Sequence, residues 1–249
     1  MRITLLRRDL PDFESCQRKA AIDRTRRLRH ICRTLKIGFF ILSLCVAAAP
    51  FALAQKAAPE VSRENKALIQ SALADFDSKK YDAALEKLRT LEKALPDDPF
   101  VMNLLGAAYT KKKNYPAAQV CFDKALARQP DFFPAKFNVG ELLFLQRRYA
   151  EALDYFQKMQ GRDLRNELLQ FKVFLCELQL GNKDAAAKTM KGIKYPGDTP
   201  AWYYAKAAWE SKNGNKKKAL EYLTGAKYIF GAKTALFDET FEDLGINLH

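Results

Sequence analysis

Leu105–Pro130 reads LGAAYTKKKNYPAAQVCFDKALARQP. Starting at Val139, VGELLFLQRRYAEALDYFQKM repeats its layout. Leu105-Gly106 aligns with Val139-Gly140, Tyr115 with Tyr149, Ala118 with Ala152 and Phe122 with Phe156, each pair 34 residues apart. A fixed period of this length marks an array of helical repeats. Carried outward, the alanine recurs at Ala84, Ala118, Ala152, Ala186 and Ala219, with spacings of 34, 34, 34 and 33. Four residues later stand Leu88, Phe122, Phe156, Met190 and Leu223. Three further on come Leu91, Ala125, Met159, Ile193 and Ala226. A small residue followed by apolar ones at i+4 and i+7 is one face of a helix.

The half-unit before each alanine is helical as well, as Gly106 with Tyr109, Gly140 with Leu143, and Trp202 with Ala205 and Trp209 show. Short polar turns (KKKN, QRR, GNK, KNGN) join the two halves. Pro96, Pro130 and the loop Tyr195–Pro200 end the second helices, since proline cannot continue a helix. Five helix-turn-helix units follow, at 65–98, 99–132, 133–166, 167–200 and 201–231. These units resemble the tetratricopeptide repeat. Leu105, Gly106, Tyr109, Ala118, Phe122, Ala125 and Pro130 carry the resemblance in 99–132. Residues 133–166 fit nearly as well, and the first, fourth and fifth units are placed by phase. The resemblance implies an all-α fold, with the units stacked into a right-handed superhelix (an α-solenoid). A unit alone cannot bury both its faces, so the array is stabilised by stacking. In 232–249, Phe237, Phe241 and Leu244 share a face. They define a terminal helix expected to cap the last unit.

Residues 1–54 read as an export signal. A basic leader precedes an apolar run from Ile37 to Ala49, then Pro50 and the Ala52-Leu53-Ala54 ending. The alternative is an uncleaved membrane anchor over residues 37–54, at the lower limit of a spanning helix. Residues 55–62 form a polar linker, with Ser62 as an N-cap. The exported chain is expected in the periplasm or outside the cell. Membrane association would come through the N-terminal segment if it stays in place.

Setting the leader aside alters the charge argument. The whole chain carries 42 basic and 29 acidic residues, a net +13. Removing the leader's 11 basic and 4 acidic residues leaves 31 and 25, a net +6. A nucleic-acid partner is therefore not expected. Cys16, Cys32 and Cys45 also lie in the leader, leaving Cys121 and Cys176 two units apart. Both are expected to be buried thiols. The histidines are His30 and the terminal His249, so the repeats hold none for a triad or a metal cage. There is no Gly-rich phosphate loop and no C-x-x-C. The acidic pairs Asp75 with Asp77 and Asp97 with Asp98 read as solvated helix ends. No catalytic residue, cofactor site or metal site is assigned, and an enzyme is not expected.

A binding module is. In the tetratricopeptide family, the first helix of each unit lines a concave groove where protein or peptide partners dock. Carried over by register, the groove holds Phe100, Asn103 and Ala107, then Phe137, Glu141 and Phe144, then Phe171, Leu175 and Leu178, and last Tyr203. Some family members clamp an acidic C-terminus with Lys and Asn. Asn103 and Asn138 are present here, but lysines are not at the matching positions. Turns within units place Lys111, Lys112, Lys113, Arg147, Arg148, Lys216, Lys217 and Lys218 on a basic edge. Turns between units place Asp97, Asp98, Asp131, Asp163 and Asp198 on the opposite one. The resemblance thus implies a non-catalytic interaction scaffold. The alternative is a structural subunit of a permanent envelope complex or a self-assembly.

Overall fold

The computed structural model describes residues 62–160 and 167–246. The expectations for the leader, the anchor, most of the linker and Asp163 lie outside the described residues. The described residues fall in two compact units, 62–66 in one and 67–246 in the other. Within the first, the Ser62 hydroxyl accepts from the Asn65 N–H at 3.1 Å.

Among the described residues, ten α-helices form five pairs. They are α1 (Arg63–Asp77) with α2 (Tyr81–Ala94), α3 (Pro99–Lys111) with α4 (Tyr115–Arg128), and α5 (Phe133–Leu145) with α6 (Tyr149–Gln160). The last two pairs are α7 (Glu167–Gln179) with α8 (Lys183–Gly192), and α9 (Ala201–Lys212) with α10 (Lys216–Phe230). A 3₁₀ turn, Gly231–Thr234, leads into α11 (Ala235–Asp243). From α2 to α10 each helix packs on its neighbour in sequence, and first helices of consecutive units also meet, α3 on α5 and α7 on α9.

The period reflects close approach between the helices of one unit. Ala84, Ala118, Ala152, Ala186 and Ala219 are wholly buried. Gly106 and Gly140 hold the helix axes close. A Cβ on Gly106 would stand 2.4 Å from Phe122 Cε1, and one on Gly140 equally near Phe156 Cε1. The phenyl ring therefore fills the space that glycine leaves. The start of α3 follows its sequence signal: Asp98 Oδ1 accepts from the Phe100 and Val101 N–H groups, both at 3.0 Å, with Pro99 in the first turn.

Each turn between the two helices of a unit places one residue in the left-handed region: Lys79 (φ 60°), Lys113 (58°), Arg147 (61°), Gly181 (77°) and Gly214 (84°). They share one repeat position. Three of the five carry a Cβ there, an unfavourable choice. Between α8 and α9 the buried Glu167 organises the loop. Its carboxylate accepts from the Asp198 N–H at 3.2 Å, the Thr199 N–H at 3.0 Å and the Thr199 hydroxyl. Cys121 and Cys176 are free and buried. Burial raises their thiols to about 11 and about 12. Among the described residues, no helix is long and apolar enough to cross a membrane.

The terminal helix follows a path that the apolar spacing alone did not indicate. Gly231, at φ 52° and ψ −125°, occupies backbone space that essentially only glycine enters. The chain turns there, and α11 runs back against the first helices of earlier units. Leu220, Tyr228 and Ile229 of α10 remain exposed.

Candidate functional face along the first helices

The first helices α3, α5, α7 and α9 are buried on almost all sides, so their apolar positions show little angular preference. Of the groove-register residues, Asn103, Ala107, Phe137, Glu141, Phe144, Phe171, Leu175 and Leu178 are buried, and Phe100 and Tyr203 are half-buried.

The structure brings several of them together around one lysine. Lys172 of α7, 2 % exposed, places Nζ 2.8 Å from Glu141 Oε2. The same ammonium donates to Thr240 Oγ1 of α11 at 3.0 Å and lies 5.2 Å from the Phe144 ring centroid. A charge this deep requires such partners, because desolvation would otherwise exclude it. Next to it, Asn138 Nδ2 donates to Asn103 Oδ1 at 2.8 Å across α3 and α5. Three buried polar atoms here make no hydrogen bond among the described residues: Asn103 Nδ2, Asn138 Oδ1 and Glu141 Oε1.

Helix α11 forms the other wall. The Phe237 ring lies 5.1 Å from Phe171 and 5.2 Å from Tyr204. Phe241 stands edge-on to Tyr204 at 5.1 Å. The Tyr204 hydroxyl donates to Asp238 Oδ1 at 2.5 Å. Burial first, and then the Asp238 carboxylate, raise this phenol far above its ordinary range. Lys111, expected on the basic edge, instead ion-pairs with Glu239 of α11 and is mostly buried. Burial pushes its ammonium downward.

Two of the groove-register residues lie elsewhere. The Phe137 ring lies 5.7 Å from Phe156, inside its own unit. Tyr203 joins an aromatic cluster with Tyr195, Trp202 and Phe230. Lys172, Tyr204 and Asn138 were not among the expected site residues. A lysine inside a run as apolar as Phe171–Leu175 was the available signal for the first. On the edge, Lys112 pairs with Asp82, Arg148 with Glu151 and Lys218 with Glu210, while Lys113, Arg147, Lys216 and Lys217 are exposed. Among the described residues, no group of three or more His, Cys, Asp or Glu side chains could hold a metal ion.

Paired helices repeating at a 34-residue period, with first helices meeting at α3 on α5 and α7 on α9, define an α-solenoid. The tetratricopeptide repeat model matches residues 69–121 and 111–163. Residues 69–163 therefore match tetratricopeptide repeats, and helices α7 to α10 continue the same paired fold. Solved structures agree in fold. A thermophilic tetratricopeptide repeat protein of Thermus thermophilus superposes with a TM-score of 0.60 at 20% identity, over 72% of this chain and 98% of that one. One from Parabacteroides merdae gives 0.61 at 18% identity, over 74% and 71%. PilW, a type IV pilus biogenesis factor, gives 0.56 at 19% identity, over 74% and 87%.

Proposed function

We propose that this protein is a non-catalytic, exported interaction scaffold that binds a partner segment along the face of its first helices. Proteins of this repeat class generally serve protein–protein interaction. The observation that carries the reading is the trio Asn103 Nδ2, Asn138 Oδ1 and Glu141 Oε1. A buried polar atom without a partner is unfavourable. A donor beside an acceptor complements the C=O and N–H groups of a polypeptide. Export rests on the pattern of residues 1–54, and a retained segment 37–54 would instead anchor the scaffold in a membrane.

The test is a photo-crosslinking amino acid at Phe100 in the full chain, expressed in its native cells. A discrete crosslinked partner that disappears with Asn138→Leu is expected. The same product from a crosslinker at Tyr228, exposed on α10, would overturn the assignment. The intact mass of the purified chain decides between cleavage after Ala54 and retention.

A second reading, as a self-assembling structural subunit, is favoured by one observation. Leu220, Tyr228 and Ile229 expose 47%, 92% and 56% of their surface on α10. Apolar patches of this kind mark contact surfaces. Light scattering of the purified protein distinguishes the two, since the scaffold reading expects a monomer.

A further inference from the structure

Helix α11 covers part of the face just described and leaves part of it unsatisfied. It places Phe237 and Phe241, four residues apart, against Phe171 and Tyr204. Its polar side chains meet complementary ones: Asp238 the Tyr204 hydroxyl, Thr240 the Lys172 ammonium and Glu239 the Lys111 ammonium. This is how a short amphipathic helix is recognised in a groove, with aromatic anchors for affinity and flanking charges for register. Yet α11 supplies nothing to Asn103 Nδ2, Asn138 Oδ1 or Glu141 Oε1.

Two further observations mark α11 as removable. It is nine residues long, too short to be stable as a free helix. It also hangs from Gly231, a single pivot after the last repeat. Displacing it requires no repeat to unfold.

We propose that α11 is a built-in, incomplete occupant of this face, and that the partner is an acidic helical segment with two aromatic side chains four residues apart that displaces it. The partner reproduces the Phe237 and Phe241 anchors and the carboxylates facing Tyr204 and Lys111. It outcompetes α11 by also satisfying the amides of Asn103 and Asn138. The inference rests on the scaffold reading above and adds the partner's chemistry and its regulation. An internal occupant lowers apparent affinity by the ratio of closed to open chains, so loosening α11 strengthens binding in trans.

The test uses a fluorescein-labelled peptide of residues 231–245 as probe and follows its anisotropy with the full chain. Wild type binds the probe weakly. Phe237→Ala with Phe241→Ala in the chain tightens binding at least tenfold. A probe carrying the same two alanines does not bind. Asp238→Asn, which keeps both rings, serves as a milder variant, with a gain of about threefold by the same population shift. Equal affinities for wild type and both variants, at unchanged helical circular dichroism, would overturn the proposal. So would a wild-type dimer that the probe dissociates, because the occupant would then be a second copy's α11. The probe is the chain's own segment, so this outcome is independent of whether crosslinking at Phe100 captures a natural partner.

Discussion

Tyr204, wholly buried on α9, donates its hydroxyl to Asp238 on α11 at 2.5 Å, joining the last repeat to the helix that follows it. Asp238 also accepts from the Thr234 hydroxyl at 3.1 Å and lies 3.9 Å from Lys227 Nζ. The carboxylate is thus a junction between α11, α10 and the repeats. Tyr204→Phe keeps the ring contacts with Phe237 and Phe241 and removes only the hydrogen bond. The expected loss is about 1–2 kcal/mol. Hydrogen exchange checks it, with protection falling in 235–243 and holding in α9.

Lys172 and Glu141 form an ion pair in which both side chains are almost fully buried. Lys172→Met leaves Glu141 charged, buried and unpaired, which destabilises by about 3–5 kcal/mol. Replacing both, with Lys172→Met and Glu141→Leu, recovers most of that loss, because no charge is then left inside. Urea denaturation of the wild type, both single variants and the double variant measures the coupling. Additive losses would show that the two residues act independently.

Glu177 of α7 is buried, and its Oε2 makes no hydrogen bond among the described residues. Burial raises its carboxyl above the ordinary carboxylate range, against a smaller opposing contribution from Thr189. The folded state therefore holds this proton to higher pH than the unfolded chain does. Stability from this group is present at low pH and declines as pH rises from the unfolded value through the folded one. Glu177→Gln removes the charge. A higher melting temperature than wild type is expected at pH 8, with the gain vanishing near pH 4. A gain independent of pH would refute the assignment.

Lys113 sits at φ 58°, where Gly181 and Gly214 stand in later units. Lys113→Gly relieves the left-handed strain and gives back part of the gain as unfolded-chain entropy. The net stabilisation is about 0.5–1 kcal/mol, as the difference between the two effects. Thermal melting detects it. The same change at exposed Lys188, inside α8, should destabilise by about 1 kcal/mol, because a helix interior disfavours glycine.

The repeat was legible in the sequence because it is local. Helix geometry ties Ala118 to Phe122 and Ala125 along one face, and the 34-residue period carries that face from unit to unit. Burial of Ala84 through Ala219 and the fit of Phe122 into Gly106 follow from that spacing. The candidate face was only partly legible. Phe137 and Tyr203 share the groove register but pack elsewhere, since spacing gives a side chain's direction and not what lies opposite.

By itself, the sequence determined the helical period and the small-to-large pairing of Gly106 with Phe122 and Gly140 with Phe156, both set by contacts within about one repeat. Only the tertiary structure decided where α11 goes and what Lys172 meets. Lys111 and Glu239 are 128 residues apart, and Lys172 and Thr240 are 68 apart. No periodicity spans such distances. Those pairings depend on the turn at Gly231 and on which repeats the returning helix reaches, and both are settled only once the stack has formed.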